Sequence, residues 1–139
     1  MLLLSRISIH FGYFAEDKDR TAKLIAQFHA RMNAGQFDEI YDDACIDFRN
    51  SQSRDYLIDA MRKSRDEFGI FRKIESSNID VVVNAPVQVR AVYDSVFENG
   101  EATERFIFVE DNKGQKIQLL FYRIDWKNRP KGSAGIGST

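Results

Sequence analysis

Glu104 is the residue of this chain best placed to do chemistry. Strand alternation sets it on one face with Phe106 and Phe108, and with Ser95 and Tyr93 on the neighbouring strand. A carboxylate in apolar surroundings has a raised pKa and can act as a general acid or base. Tyr41 and Tyr93 are the candidate donors to go with it. The nearness of Glu104 to a hairpin turn, however, favours a solvated place at the open rim. The chain has two histidines and one cysteine. His29 lies beside an apolar helical stripe, where a lone histidine is more often structural than catalytic. Cys45 sits between Ala44 and Ile46 and reads as a small buried hydrophobe. One cysteine allows no intrachain disulfide, and without a Cys pair or H-x-x-x-H no metal site is expected. Neither G-x-G-x-x-G nor G-x-x-x-x-G-K-[ST] occurs, so no phosphate cradle and no cofactor is expected.

The elements that must position these residues have a modest frame to work in. The chain has 139 residues, 43% apolar and 29% charged, with 20 Lys+Arg against 21 Asp+Glu. That length fits one domain. The balanced charge argues against a nucleic-acid clamp, which needs a basic excess. Leu2 to Leu4 is too short a run to span a membrane, and the order of charge and leucines does not fit a secretory signal. Residues 1–15 are read as an N-terminal arm, 16–125 as the domain and 126–139 as a flexible tail.

Three helices are expected first. Leu24, Ile25, Phe28 and Met32 form one stripe over 16–34, with Gly35 as the stop. A short helix follows at about 37–44. The third, over 53–68, starts from a serine cap, buries Leu57, Ala60, Met61 and Phe68, and ends at Gly69. Its outer face alternates in charge sign, as a solvated face does. From Ile70 the period changes to two. Strands are expected over 70–83, 87–98, 101–110 and 115–125, divided by turns at Asn84-Ala85-Pro86, Asn99-Gly100 and Asn112-Lys113.

These turns predict a register. Glu98 would oppose Glu101, Tyr93 would oppose Phe106, and Glu104 would oppose Phe121. One face then carries Val89, Ala91, Tyr93, Ser95 and Phe97, with Glu104, Phe106, Phe108, Ile117, Leu119 and Phe121, and packs under the helices. A slip of one residue would invert it. The other face carries Val92, Ile107, Leu120 and Tyr122 among charged residues. It is more apolar than a solvated face needs to be, and these four are assigned to a homodimer interface.

Helices followed by an antiparallel meander make an α+β chain with segregated elements. The runs AKLIAQFHARMNAGQFDEIYDDACIDF and SRDYLIDAMRKSRDEFG, then four strands, resemble the nuclear transport factor two-like superfamily, also called ketosteroid isomerase-like or cystatin-like. The phrase at 34–41 is similar to one in its small bacterial branch. The resemblance covers about residues 18–125. It implies a long helix lying across a curved four-stranded sheet, enclosing a cone-shaped cavity. It slightly favours the bacterial cell envelope or periplasm over the cytoplasm. No position matches the superfamily's catalytic motifs, so no catalytic residue is transferred. The expected function is non-catalytic binding of a small apolar ligand or a protein partner, as a dimer. The ligand lining would be Phe28, His29, Tyr41, Tyr93, Ser95, Glu104, Phe106 and Leu119. The alternative is a small isomerase or dehydratase-like enzyme using Glu104. That needs a cavity of about 300 Å³ or more at the carboxylate.

Overall fold

The computed structural model describes the backbone of residues 2–83, 86–111 and 114–128, and the side chains of these from residue 15 onward. Four helices precede four strands: α1 (Leu2–Ala34), α2 (Phe37–Asp43), α3 (Ile46–Asn50), α4 (Arg54–Phe68), β1 (Phe71–Val82), β2 (Gln88–Phe97), β3 (Gly100–Glu110) and β4 (Ile117–Asn128). The strands form one curved, unclosed antiparallel meander in the order β1-β2-β3-β4. The fold is α+β, with the helices N-terminal to the sheet. Among the described residues no helix is long and apolar enough to cross a membrane. The expected turns at 84–85 and 112–113, and the tail from 129 onward, lie outside the described residues.

Helix boundaries follow local chemistry. α1 takes in residues 2–15, read from sequence as a separate arm. It ends in a paired cap, Gly35 N–H to Met32 O (3.2 Å) and Gln36 N–H to Arg31 O (2.8 Å). The left-handed φ of 74° at Gly35 makes that cap. Ser53 caps α4 by accepting from Tyr56 N–H at 3.2 Å. Trp126, Lys127 and Asn128, placed in the tail by the sequence reading, continue β4.

Ile25, Phe28 and Met32 of α1 press on Val89, Ala91, Phe106, Phe108 and Leu119 of the sheet. Phe106 is 1% exposed. Burying one such ring is worth about 1.5–3 kcal/mol. Phe28 meets it edge-on, with centroids 5.2 Å apart. A second cluster, Phe68, Phe97 and Ala102 with Phe71, Ile124 and Trp126, closes the opposite end.

The register departs from the sequence reading on both ladders, and Glu104, expected opposite Phe121, opposes Ile124. The β2–β3 ladder closes at Phe97 and Gly100, not at Glu98 and Glu101. The cause is tertiary. The Glu98 and Asn99 N–H groups donate to Ile70 O (2.8 Å) and Phe68 O (3.0 Å), so they turn away from the hairpin. Each pair moves by two, so Tyr93 opposes Glu104 and Ala91 opposes Phe106, and the faces survive. Asp94, which the predicted register would set opposite Arg105, opposes Thr103 and accepts from its hydroxyl at 3.1 Å.

The β3–β4 ladder is shifted by two residues as well, and it also carries a β-bulge. Phe108 pairs with Leu119 and Ile107 with Phe121, leaving Leu120 without a partner on β3. Beyond it the faces of β4 exchange. Phe121, expected inside, is 42% exposed. Tyr122, expected on the outer face, opposes Phe106 and packs on Phe28 at 4.6 Å. An unbroken register would drive Arg123 and Asp125 into the core. The bulge turns them out, where they pair with each other at 2.9 Å.

Candidate functional site

Four elements bring one polar cluster together inside the sheet's concave face. Glu104 of β3 has no exposed surface. Ser95 Oγ of β2 donates to its Oε1 at 2.7 Å. Tyr122 OH of β4 donates to its Oε2 at 2.6 Å. His29 Nε2 of α1 lies 2.8 Å from Oε1 and is 4% exposed. A carboxylate oxygen can only accept, so Nε2 carries the hydrogen. Glu104 is therefore buried and held from three sides, not solvated at the rim as its nearness to the hairpin had favoured.

The supports of the cluster are built as carefully as its centre. The His29 ring stacks on Phe71, with centroids 3.6 Å apart and planes 5° from parallel. Asn33, one turn along α1, grips the Phe71 backbone from both sides, accepting from its N–H at 2.8 Å and donating to its O at 3.1 Å. This ties the histidine's helix to β1 beside the ring it stacks on. Burial, then the charge of Glu104, then the bond to it, push the Tyr122 phenol well above its ordinary value. Burial and then Glu104 raise Tyr93 as well. Both phenols are thereby held neutral, and Tyr122 donates.

The cluster is dense. The space bounded by His29, Asn33, Phe71, Glu104 and Tyr122 is about 10 Å³. That is about the room one water needs. Two grooves lie near it. One of about 430 Å³ runs between α1, α2 and the β3–β4 end, with Leu24, Phe28, Ile40, Phe108, Ile117 and Leu119 as floor and Arg20, Gln27, Arg31, Asp43 and Lys116 at the rim. The other, about 280 Å³, lies between Met32, Phe48, Leu57, Met61, Ser64, Tyr122 and Ile124. A shallow hollow of about 590 Å³ on the outside of α4 is lined mostly by charged residues such as Asp38, Arg54, Asp59 and Arg62.

The residues chosen from sequence thus divide. His29, Ser95 and Glu104 converge, with Tyr93 and Phe106 packed around them. Phe28 and Leu119 line the larger groove. Tyr41 stands apart, donating to Arg49 O at 3.3 Å with the Arg54 guanidinium 5.4 Å over its ring. Sequence reasoning missed Tyr122, Asn33 and Phe71. The signal for Tyr122 was present: inward positions run 117 and 119, then 122, 124 and 126, a change of phase that requires an extra residue. Among the described residues no group of three or more His, Cys, Asp or Glu is arranged to hold a metal. Comparison with known proteins finds no matching family model, curated relative or solved structure.

Proposed function

We propose that this chain is a binding domain of the nuclear transport factor two-like kind that takes a small apolar ligand without chemistry of its own. The observation that carries the reading is the groove of about 430 Å³, with an apolar floor and a polar rim. Small-molecule sites have this size and this lining. The dense packing around Glu104 supports the same reading, since about 10 Å³ admits no substrate. On this view the His29–Glu104–Tyr122 cluster fixes how α1 sits on the sheet, and so fixes the floor of the groove.

Gln27 is exposed at the groove's rim and tests the assignment without touching the core. N-phenyl-1-naphthylamine, an apolar fluorescent probe, should bind the wild-type chain at one site. Gln27→Trp should weaken it at least about tenfold, equivalent to about 1.4 kcal/mol, with thermal stability unchanged. No binding by the wild type, or equal binding by the variant, overturns the assignment.

A second reading, an isomerase or dehydratase-like enzyme, has one observation in its favour. Met32, Ser64, Tyr122 and Ile124 wall both the small space at Glu104 and the groove of about 280 Å³. A rotation of Tyr122 would join the two. This reading requires solvent deuterium to enter a small enolisable ketone, and Glu104→Gln to abolish it. A wild-type chain that exchanges nothing removes it.

The outer sheet face is the proposed homodimer surface. Val92 is 40% and Phe121 42% exposed there, with Ile107 and Leu120 half-buried beside them. Phe121 takes the place in this surface that the sequence reading gave to Tyr122.

A further inference from the structure

α1 carries a second buried carboxyl group, at the opposite end of the sheet from the hairpin. Asp17 has no exposed surface, and Glu110, the last residue of β3, is 6% exposed. Both Asp17 oxygens, Glu110 Oε2 and Thr21 Oγ1 are buried without a hydrogen-bond partner. Thr21 lies one turn along α1 on the same face as Asp17. Two carboxylates facing each other away from water cannot both stay ionised cheaply.

The charges around the pair leave room for one proton. Arg20 Nη1 stands 3.5 Å from Asp17 Oδ1, and its Nη2 donates to Gln115 O at 2.8 Å. It answers one of the two negative charges. Glu16 on the same helix adds a weaker one. In the β3–β4 connection, Asp111 accepts from Gln115 N–H at 2.8 Å and Lys116 is exposed. A proton on Asp17 supplies the missing donor, placed within reach of Glu110.

We propose that Asp17 and Glu110 share one proton, and that the resulting carboxyl–carboxylate hydrogen bond is a pH-sensitive clamp holding α1 to the end of β3. Burial, then the bond to Glu110 and its charge, raise the Asp17 carboxyl from 3.8 to about 7. The folded chain therefore holds a proton that the unfolded chain gives up. The stability from the clamp is full below 3.8 and is lost as the pH rises through about 7. Arg20 and Gln115 also line the larger groove. Release of the proton leaves Asp17 fully charged beside Arg20 and unfastens the groove's mouth. That last consequence rests on the groove being the binding site; the clamp itself does not.

Carbon-13 carboxyl titration of the full chain tests the clamp directly. The Asp17 Cγ resonance should titrate with a midpoint near 7. Glu110→Gln, whose amide can donate to an ionised Asp17, should lower that midpoint at least about tenfold in proton affinity. Asp17→Asn, which donates to Glu110 without a proton, should flatten the fall in melting temperature from about pH 6 to about pH 8. A wild-type midpoint near 4, or the same fall in Asp17→Asn, overturns the proposal. If Glu110→Gln does not fold, the wild-type midpoint alone decides. Binding of N-phenyl-1-naphthylamine should weaken over the same pH range in the wild type and not in Asp17→Asn. A chain that titrates as stated but binds no probe at either pH loses the groove and keeps the clamp.

Discussion

Glu104 earns its burial through its three donors, and each can be removed separately. Glu104→Ala leaves Ser95, His29 and Tyr122 without an acceptor in a space of about 10 Å³. Breaking a buried charged group from its partners costs about 3–5 kcal/mol, and urea unfolding should show a loss in that range. Tyr122→Phe removes one donor and leaves the others, so about 1.5–3 kcal/mol is expected. Equal losses for the two variants would mean that the cluster does not centre on the carboxylate. The importance of Glu104 was legible in the sequence, because alternation alone puts it among aromatic residues. Its state was not. Whether a carboxylate near a hairpin is wet or dry depends on His29, 75 residues earlier, and on a tyrosine whose face a bulge decides.

At the scale of elements, most of the chain was legible because local signals agreed with the fold. The serine cap of α4, the glycine stop of α1 and the strand periods all stand where the sequence puts them. What escaped was set by contacts between elements. The β2–β3 hairpin closes early because Phe68 at the end of α4 and Ile70 just before β1 take its amides, and Gly69 lies between them. Gly69 has φ 79° and ψ −163°, and an added Cβ would stand 2.7 Å from Glu98 Cβ. Gly35 has a similar φ of 74° with nothing within 4 Å. Gly35→Ala should therefore cost about 1–2 kcal/mol, the ordinary penalty of a left-handed residue. Gly69→Ala should cost more, about 2–4 kcal/mol, from backbone conformation and collision together. Equal costs, measured by thermal or urea unfolding, would show that the hairpin yields freely.

For the molecule as a whole, the proposed assembly turns on the convex face of the sheet. Ile107 is half-buried there, beside exposed Phe121 and Val92. Ile107→Asp should shift the light-scattering mass from dimer to monomer while the far-ultraviolet spectrum is preserved. A wild-type monomer, or an unchanged mass in the variant, would remove the dimer. The composition of that face was only half legible, because the same single residue that turns Tyr122 inward turns Phe121 outward. Leu120 acts on β4 as an inserted base acts on a reading frame: everything downstream changes meaning while the letters stay the same. Upstream of it β4 gives the floor of a groove; downstream it gives the tyrosine of a polar cluster and the aromatic of a convex surface. Pairing Leu120 into an unbroken ladder would exchange Tyr122 and Ile124 for Phe121 and Arg123, whereas removing it would leave the pairs on either side in register and every face as it is.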